Sequence, residues 1–185
     1  MPTAGVSNPS FIGALRQGSV LFIPPPPLPA WTLGALWIQS IICAKNGLYG
    51  IQRTANGSLG SSDVTSTVPF SVTAGASLFA SFWVKSSVAA DGQIGFGLSF
   101  YNAANVLIGS TFVETTNPAS QYANWTQVFG NIPVPAFAVT AVPVVRSFSN
   151  LHGFWCVDSV FVITSGGNFE LSALRHWYSE RELFR

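Results

Sequence analysis

Charge is what this chain has least of. Only 8 % of its 185 residues are Asp, Glu, Lys or Arg, where an ordinary soluble domain carries about 25 %. With aromatics at 14 %, that scarcity excludes a disordered chain, which would be charge-rich and aromatic-poor. A net charge of +1 leaves no field to draw in nucleic acid or acidic lipid. Long apolar runs are missing too. The most apolar stretch, Leu33 to Ala44, is broken by Gln39 and has about half the length that spans a bilayer. The start, Met1-Pro2-Thr3-Ala4-Gly5, shows no basic region with an apolar one after it, so no export signal is read there. The expectation is synthesis and use in a cytoplasm, with trimming or departure inside a particle as the alternatives.

Reactive groups are equally scarce. The sequence holds no Ser-His-Asp trio, phosphate loop, His-x-x-x-His or paired-carboxylate motif. Its seven acids give no pair of carboxylates set to flank a glycosidic bond, so no catalytic residue is assigned and the protein is not expected to be an enzyme. Two cysteines, Cys43 and Cys156, lie in apolar runs that read as strands. Buried reduced thiols are expected; a disulfide requires those strands to be neighbours, which sequence does not decide. Two Cys and two distant His are too few ligands for zinc, and no cofactor or metal is expected.

What is present is strand. Runs of aromatic and β-branched residues occupy 35–44, 48–54, 64–73, 77–86, 93–101, 105–114, 124–131, 138–148 and 153–163. Turn signals such as Lys45-Asn46-Gly47, Asp91-Gly92 and Asn117-Pro118 separate them. Short, evenly spaced strands with no helical insert predict an all-β antiparallel sandwich or barrel. Before it, residues 1–30 read as an arm, because Pro24-Pro25-Pro26-Pro27 forces an extended chain without amide hydrogens. The body is set at 31–166. Beyond Gly166-Gly167 the charge density rises: residues 1–169 hold nine charges and the last sixteen hold six. In this tail, 167–185, Ser172 is a plausible N-cap for a short helix whose one side carries Leu171, Leu174, Trp177 and Tyr178. These four are the expected assembly contacts, made with the protein's own body or with another subunit.

Period-two alternation assigns faces. Ile94, Phe96, Leu98 and Phe100 share one face with Phe82 and Val84 as expected core. Gln93, Gly95, Gly97, Ser99 and Tyr101 form a face left flat and open by its glycines. On 77–85, Phe79, Ser81, Trp83 and Lys85 oppose the core residues, so Trp83 is placed over a groove. Trp83, Gln93 and Tyr101 are the candidate carbohydrate-binding residues, since a ring offers an apolar face and a polar edge. Packing in the core or at an interface is the plainer role for both rings. Trp125 and Trp155 are expected in the core, Arg146 is expected to pair with Asp158 or Glu114, and His152 reads as a turn residue.

Val68-Pro69-Phe70-Ser71-Val72-Thr73-Ala74-Gly75, followed by Phe79-Ala80-Ser81-Phe82-Trp83-Val84-Lys85, resembles the central strands of jelly-roll carbohydrate-binding modules of the family 4/9/22 type. Asn124-Trp125-Thr126-Gln127-Val128, Pro135-Ala136-Phe137-Ala138 and Trp155-Cys156-Val157-Asp158-Ser159-Val160-Phe161-Val162 are similar to their later strands, so the resemblance covers about 35–163. It implies a galactose-binding-like β-sandwich, a fold also found in bacteriophage virion proteins. In that family an early Glu and a closing Asp pair hold calcium; here Ile12 and Ser159 stand at those places, which argues against the metal site. Asp158 is then expected as a hydrogen-bonded strand-end residue.

A neutral polar surface suits sugar binding or permanent packing in a large assembly. The expected function is a non-enzymatic virion structural protein of a bacteriophage, a jelly-roll decoration or accessory subunit of capsid or tail, with a glycan as a candidate ligand. Its expected partners are other virion proteins and copies of itself, a trimer being favoured, with no nucleic acid and no membrane. A free-standing carbohydrate-binding module is the alternative.

Overall fold

The structure, a computed structural model, describes residues 20–22, 31–45, 49–54, 61–87, 90–116, 119–149 and 152–164. Among them are twelve strands and two short 3-10 turns. The strands are β1 (Val20–Phe22), β2 (Trp31–Leu33), β3 (Trp37–Ser40), β4 (Gly50–Thr54), β5 (Ser62–Ser66), β6 (Phe70–Ser71), β7 (Ser77–Ser86), β8 (Gln93–Tyr101), β9 (Leu107–Glu114), β10 (Thr126–Pro133), β11 (Thr140–Ser149) and β12 (Phe154–Thr164). Sheet I runs β10-β7-β12-β4-β3, with β1 beside the C-terminal half of β12. Sheet II runs β2-β5-β11-β8-β9, with β6 beside β11. Every pairing is antiparallel, and the two sheets face each other across one core, the jelly-roll sandwich that the strand spacing predicts.

Alternation decides what enters that core. Ile94, Phe96, Leu98 and Phe100 from β8 meet Phe82 and Val84 from β7, and all six are 0 % exposed. Phe82 and Phe96 pack edge to face with centroids 6.2 Å apart. Trp155 is fully buried and its indole N–H donates to the Asp91 carbonyl at 2.9 Å. Among the described residues, one charge lies between the sheets: Arg53 on β4 is buried and donates from Nε to Ser147 Oγ on β11 at 3.0 Å. Burial lowers its pKa from the ordinary value.

Several expectations are corrected. The run 35–44 holds a strand only to Ser40; Ile41–Cys43 turns into a 3-10 segment, so Cys43 is not on a strand. The run 64–73 divides into β5 and β6. Within the expected arm, Val20–Phe22 is a strand of sheet I. The remaining arm residues, the Gly166-Gly167 boundary and the tail contacts Leu171, Leu174, Trp177 and Tyr178 lie outside the described residues. Trp125 is half-buried rather than core. Arg146 pairs with neither Asp158 nor Glu114: it forms a bidentate ion pair with Asp63, at 2.8 and 2.7 Å, because β5, not β12, is its neighbour in the sheet.

The thiols are joined. Cys43 and Cys156 form a disulfide with Cα atoms 5.0 Å apart, which replaces the expected pair of reduced cysteines. Sequence could not decide this, because the turn at Ile41–Cys43 is what carries Cys43 onto β12.

Two stability predictions follow from the packing. Phe96→Ala should destabilise the protein by about 3–5 kcal/mol, because it leaves a cavity in a filled core; a denaturant midpoint unchanged within error would contradict the register. The disulfide closes a loop with a sequence separation of 113, and loop-closure entropy gives a contribution of about 4–5 kcal/mol. Cys43→Ser with Cys156→Ser should therefore lower the urea midpoint strongly and steepen the transition, because the uncrosslinked unfolded chain exposes more surface.

Candidate functional site

The two outer faces of the sandwich differ. On sheet II the glycines Gly95 and Gly97 do remove side chains, but the space is filled. A Cβ on Gly95 would stand 2.9 Å from the Phe148 ring, and one on Gly97 would stand 2.7 Å from the Phe112 ring. Those two rings pack edge to face at 5.4 Å, and the Arg146 guanidinium lies over Phe112 at 4.7 Å. Its hydrogen bonds to Asp63 raise the Arg146 pKa above the ordinary value. This face is sealed by its own side chains, not flat and open.

On sheet I the outward residues of β7 are Phe79, Ser81, Trp83 and Lys85, and the register brings partners to each. Phe129 of β10 and Phe161 of β12 flank Ser81 on its two sides, Gln127 and Asp158 flank Trp83, and Asn131 and Ile163 flank Phe79. The Phe79 ring lies 5.9 Å from Phe129 and 6.2 Å from Phe161. Three strands thus present a row of three rings, of which Phe129 is 61 % exposed. Gln127 Nε2 donates to Ser81 Oγ at 2.8 Å, placing an amide and a hydroxyl beside the rings.

A bulge makes this row. Asp158 and Phe161 are an odd number of positions apart, so a regular strand would turn them to opposite faces. The register against β7 shifts between them, with Ser159 at φ +50°. The extra residue keeps Trp155, Val157, Val160 and Val162 in the core while Asp158 and Phe161 both face outward.

The segment Ile41–Lys45 is fastened across the same face. Cys43 is bonded to Cys156, the Lys45 backbone N–H donates to Asp158 Oδ2 at 2.7 Å, and the Lys45 ammonium sits 3.8 Å over the Trp83 ring. Gly50 permits the close approach: a Cβ there would collide with the backbone carbonyl of Cys43. Asp158 is buried and its Oδ1 accepts the Ser159 N–H at 2.6 Å. It is therefore a mid-strand fastening for a loop, not a strand-end residue.

The sequence-derived trio is not one site. Trp83 is on sheet I, whereas Gln93 and Tyr101 are at the two ends of β8 in sheet II, about 27 Å apart along the strand. Gln93 Nε2 donates to the Thr115 carbonyl at 2.9 Å, and Tyr101 pairs with Thr140 and Leu107. Alternation fixes the face within a strand but not the sheet to which the strand belongs, and β7 and β8 belong to different sheets. The residues missed were Phe129 and Phe161 on neighbouring strands, together with Lys45. Phe129 alternates with buried Ile132 in β10 and was legible as outward; Phe161 was hidden by the bulge and Lys45 by the disulfide. Among the described residues, no three of His, Cys, Asp and Glu gather as a metal site would require.

No protein-family profile matches this chain, and no curated protein matches it in sequence. Solved structures match it in fold. It superposes on a family 16 carbohydrate-binding module with a TM-score of 0.51 at 12 % identity, over 69 % of this chain and 84 % of that one. The family 22 xylan-binding domain from Paenibacillus barcinonensis gives 0.53 at 13 %, over 83 % and 99 %. The enzymatically active domain of a tailspike protein from bacteriophage CBA120 gives 0.52 at 13 %, over 73 % of this chain and 19 % of that one. What is common to all four is a fold: the chain has the jelly-roll β-sandwich of carbohydrate-binding modules.

Proposed function

We propose that this chain is a non-enzymatic saccharide-binding sandwich carried on a bacteriophage virion, and that the outer face of sheet I is its binding surface. The observation that carries the reading is the ring row Phe129–Phe79–Phe161, with the Gln127 side-chain amide beside it. Rings stack on the apolar faces of sugars while amides and hydroxyls answer their hydroxyls. Sheet II has filled the space over Gly95 and Gly97 with its own rings, and the open row of three rings lies on sheet I.

A binding rather than catalytic role is supported by where the acids stand. Asp63 is held by Arg146, Asp91 by His152 at 2.9 Å, and Asp158 is buried under the fastened segment. None of these is set opposite another across a cleft as hydrolysis requires. The virion setting is supported by the likeness to a tailspike domain and by the disulfide, since virion surfaces are among the oxidising surroundings in which disulfides persist. The free-standing module is the second reading. It is favoured by the likeness to the Paenibacillus xylan-binding domain, which spans 99 % of that chain.

Phe129→Ala removes the most exposed ring of the row and touches little of the core. It should weaken binding of an oligosaccharide ligand about tenfold, or roughly 1.4 kcal/mol, with thermal stability nearly unchanged. Affinity that survives the loss of Phe129, Phe79 and Trp83 together would remove this face from the account, and measurable turnover of a polysaccharide would remove the non-enzymatic role. An antibody to the protein should co-sediment with intact phage particles; its recovery only as free protein would favour the free-standing module.

A further inference from the structure

The outward residues of sheet I form rows across its strands, and the register gives their order. Phe129, Ser81 and Phe161 make one row over β10, β7 and β12, and Gln127, Trp83 and Asp158 make the next. Two positions along β7, about 7 Å, separate the rows. Phe79 lies on the far side of the first row from Trp83 and completes the three rings. The second row is roofed by chain. The Lys45 backbone N–H donates to Asp158 Oδ2 at 2.7 Å, and the Lys45 ammonium stands 3.8 Å over the Trp83 ring. The segment therefore lies above the outward side chains, at the height a sugar takes when it stacks on the neighbouring rings.

We propose that Ile41–Lys45 is the side wall of the saccharide site, and that the site takes an unbranched stretch of about three sugars lying across β10, β7 and β12. The inference rests on the reading of sheet I as a saccharide-binding face. The rings set the length, because each offers its apolar face to one sugar and the row has three. The wall sets the direction. A sugar chain running along β7 past Ser81 would meet Lys45 at Trp83, whereas one running across the strands passes beside it. The wall also sets the class of ligand. With about 7 Å from one row to the next, a sugar on the rings already borders Lys45, and a branch on that edge collides with it.

A wall selects only if it holds its place when a ligand presses on it. The Cys43–Cys156 bond ties this one covalently to β12, two residues before Lys45. Asp158, which accepts the Lys45 N–H, is buried, and its Oδ1 is engaged by the Ser159 N–H at 2.6 Å. Gly50 lets the segment sit close to the sheet, since a Cβ there would collide with the Cys43 carbonyl. A branched ligand therefore loses affinity instead of lifting the segment. Lys45 acts here by bulk, its long stem and head filling the layer over the indole.

The test is calorimetric titration of the full-length, disulfide-intact protein. The probes are linear xylo- and cello-oligosaccharides of increasing length, and the same backbones carrying arabinosyl or xylosyl branches. For the backbone that binds, affinity should climb up to about three units and change less than about twofold beyond. Its branched form should bind about tenfold more weakly than the linear one. Lys45→Ala keeps the disulfide and the backbone N–H on Asp158 but removes the bulk over Trp83. It should bring branched and linear affinities to within about threefold, and it should let longer chains gain by stacking on the freed indole. Lys45→Met, which keeps the length without the charge, should discriminate as the native protein does. Branched and linear chains bound equally by the native protein, discrimination that survives Lys45→Ala, or Lys45→Met behaving like Lys45→Ala would each overturn the wall while leaving the saccharide-binding face in place. Failure of every probe to bind, or binding indifferent to Phe129→Ala, would overturn both.

Discussion

The outer face of sheet I depends on the pairing of β12 with β7. Strand β12 runs down the middle of the sheet, with β7 on one side and β4 and β1 sharing the other. It carries Trp155, Val157, Val160 and Val162 into the core, and it carries Cys156, Asp158 and Phe161 outward. The one-residue bulge at Ser159 is what makes both sets consistent. A regular strand would send Phe161 into a core already filled and would leave the ring row with two members. The disulfide and the Lys45–Asp158 hydrogen bond are fastened to this same strand, so its register positions the ring row and the Ile41–Lys45 segment together.

The two faces of the sandwich are built differently. Sheet II uses two of its charges, Arg146 and Asp63, on each other, and stacks Arg146 over Phe112. Its glycines give room for the Phe112 and Phe148 rings, and the surface closes. Sheet I does the reverse: its ring row stays outward, with Phe129 61 % exposed. An enclosed charge such as Arg53 is tolerated because its N–H groups are answered by Ser147 Oγ across the sheets and by the Thr54 carbonyl of its own strand, consistent with the rule that buried polar groups are hydrogen-bonded.

The fold was legible because strand periodicity is written locally. The alternation in 93–101 placed Ile94, Phe96, Leu98 and Phe100 inside, and the alternation in 77–85 put Phe79, Ser81, Trp83 and Lys85 outside, as found. What could not be read were relations between strands. Nothing local distinguishes the face of β8 from that of β7, so Gln93 and Tyr101 were joined to Trp83 although the sandwich separates them. The bulge at Ser159 is a break in period within a run that otherwise reads as one strand. The disulfide required a turn at Ile41–Cys43, where the sequence Ile-Ile-Cys favours strand by propensity but the Cys156 bond and the close approach at Gly50 override it.

The central claim is that sheet I, and not sheet II, is the recognition surface. The most direct measurement is amide and side-chain NMR chemical-shift mapping of the oxidised protein during titration with the tightest-binding member of a series of xylo-, cello- and galacto-oligosaccharides. The account predicts shifts concentrated at Phe79, Ser81, Trp83, Lys85, Gln127 and Phe129, with Gly95, Ser99 and Phe112 unmoved. Shifts centred on β8, β9 and β11, or on the loops at either end of the sandwich with sheet I silent, would contradict it.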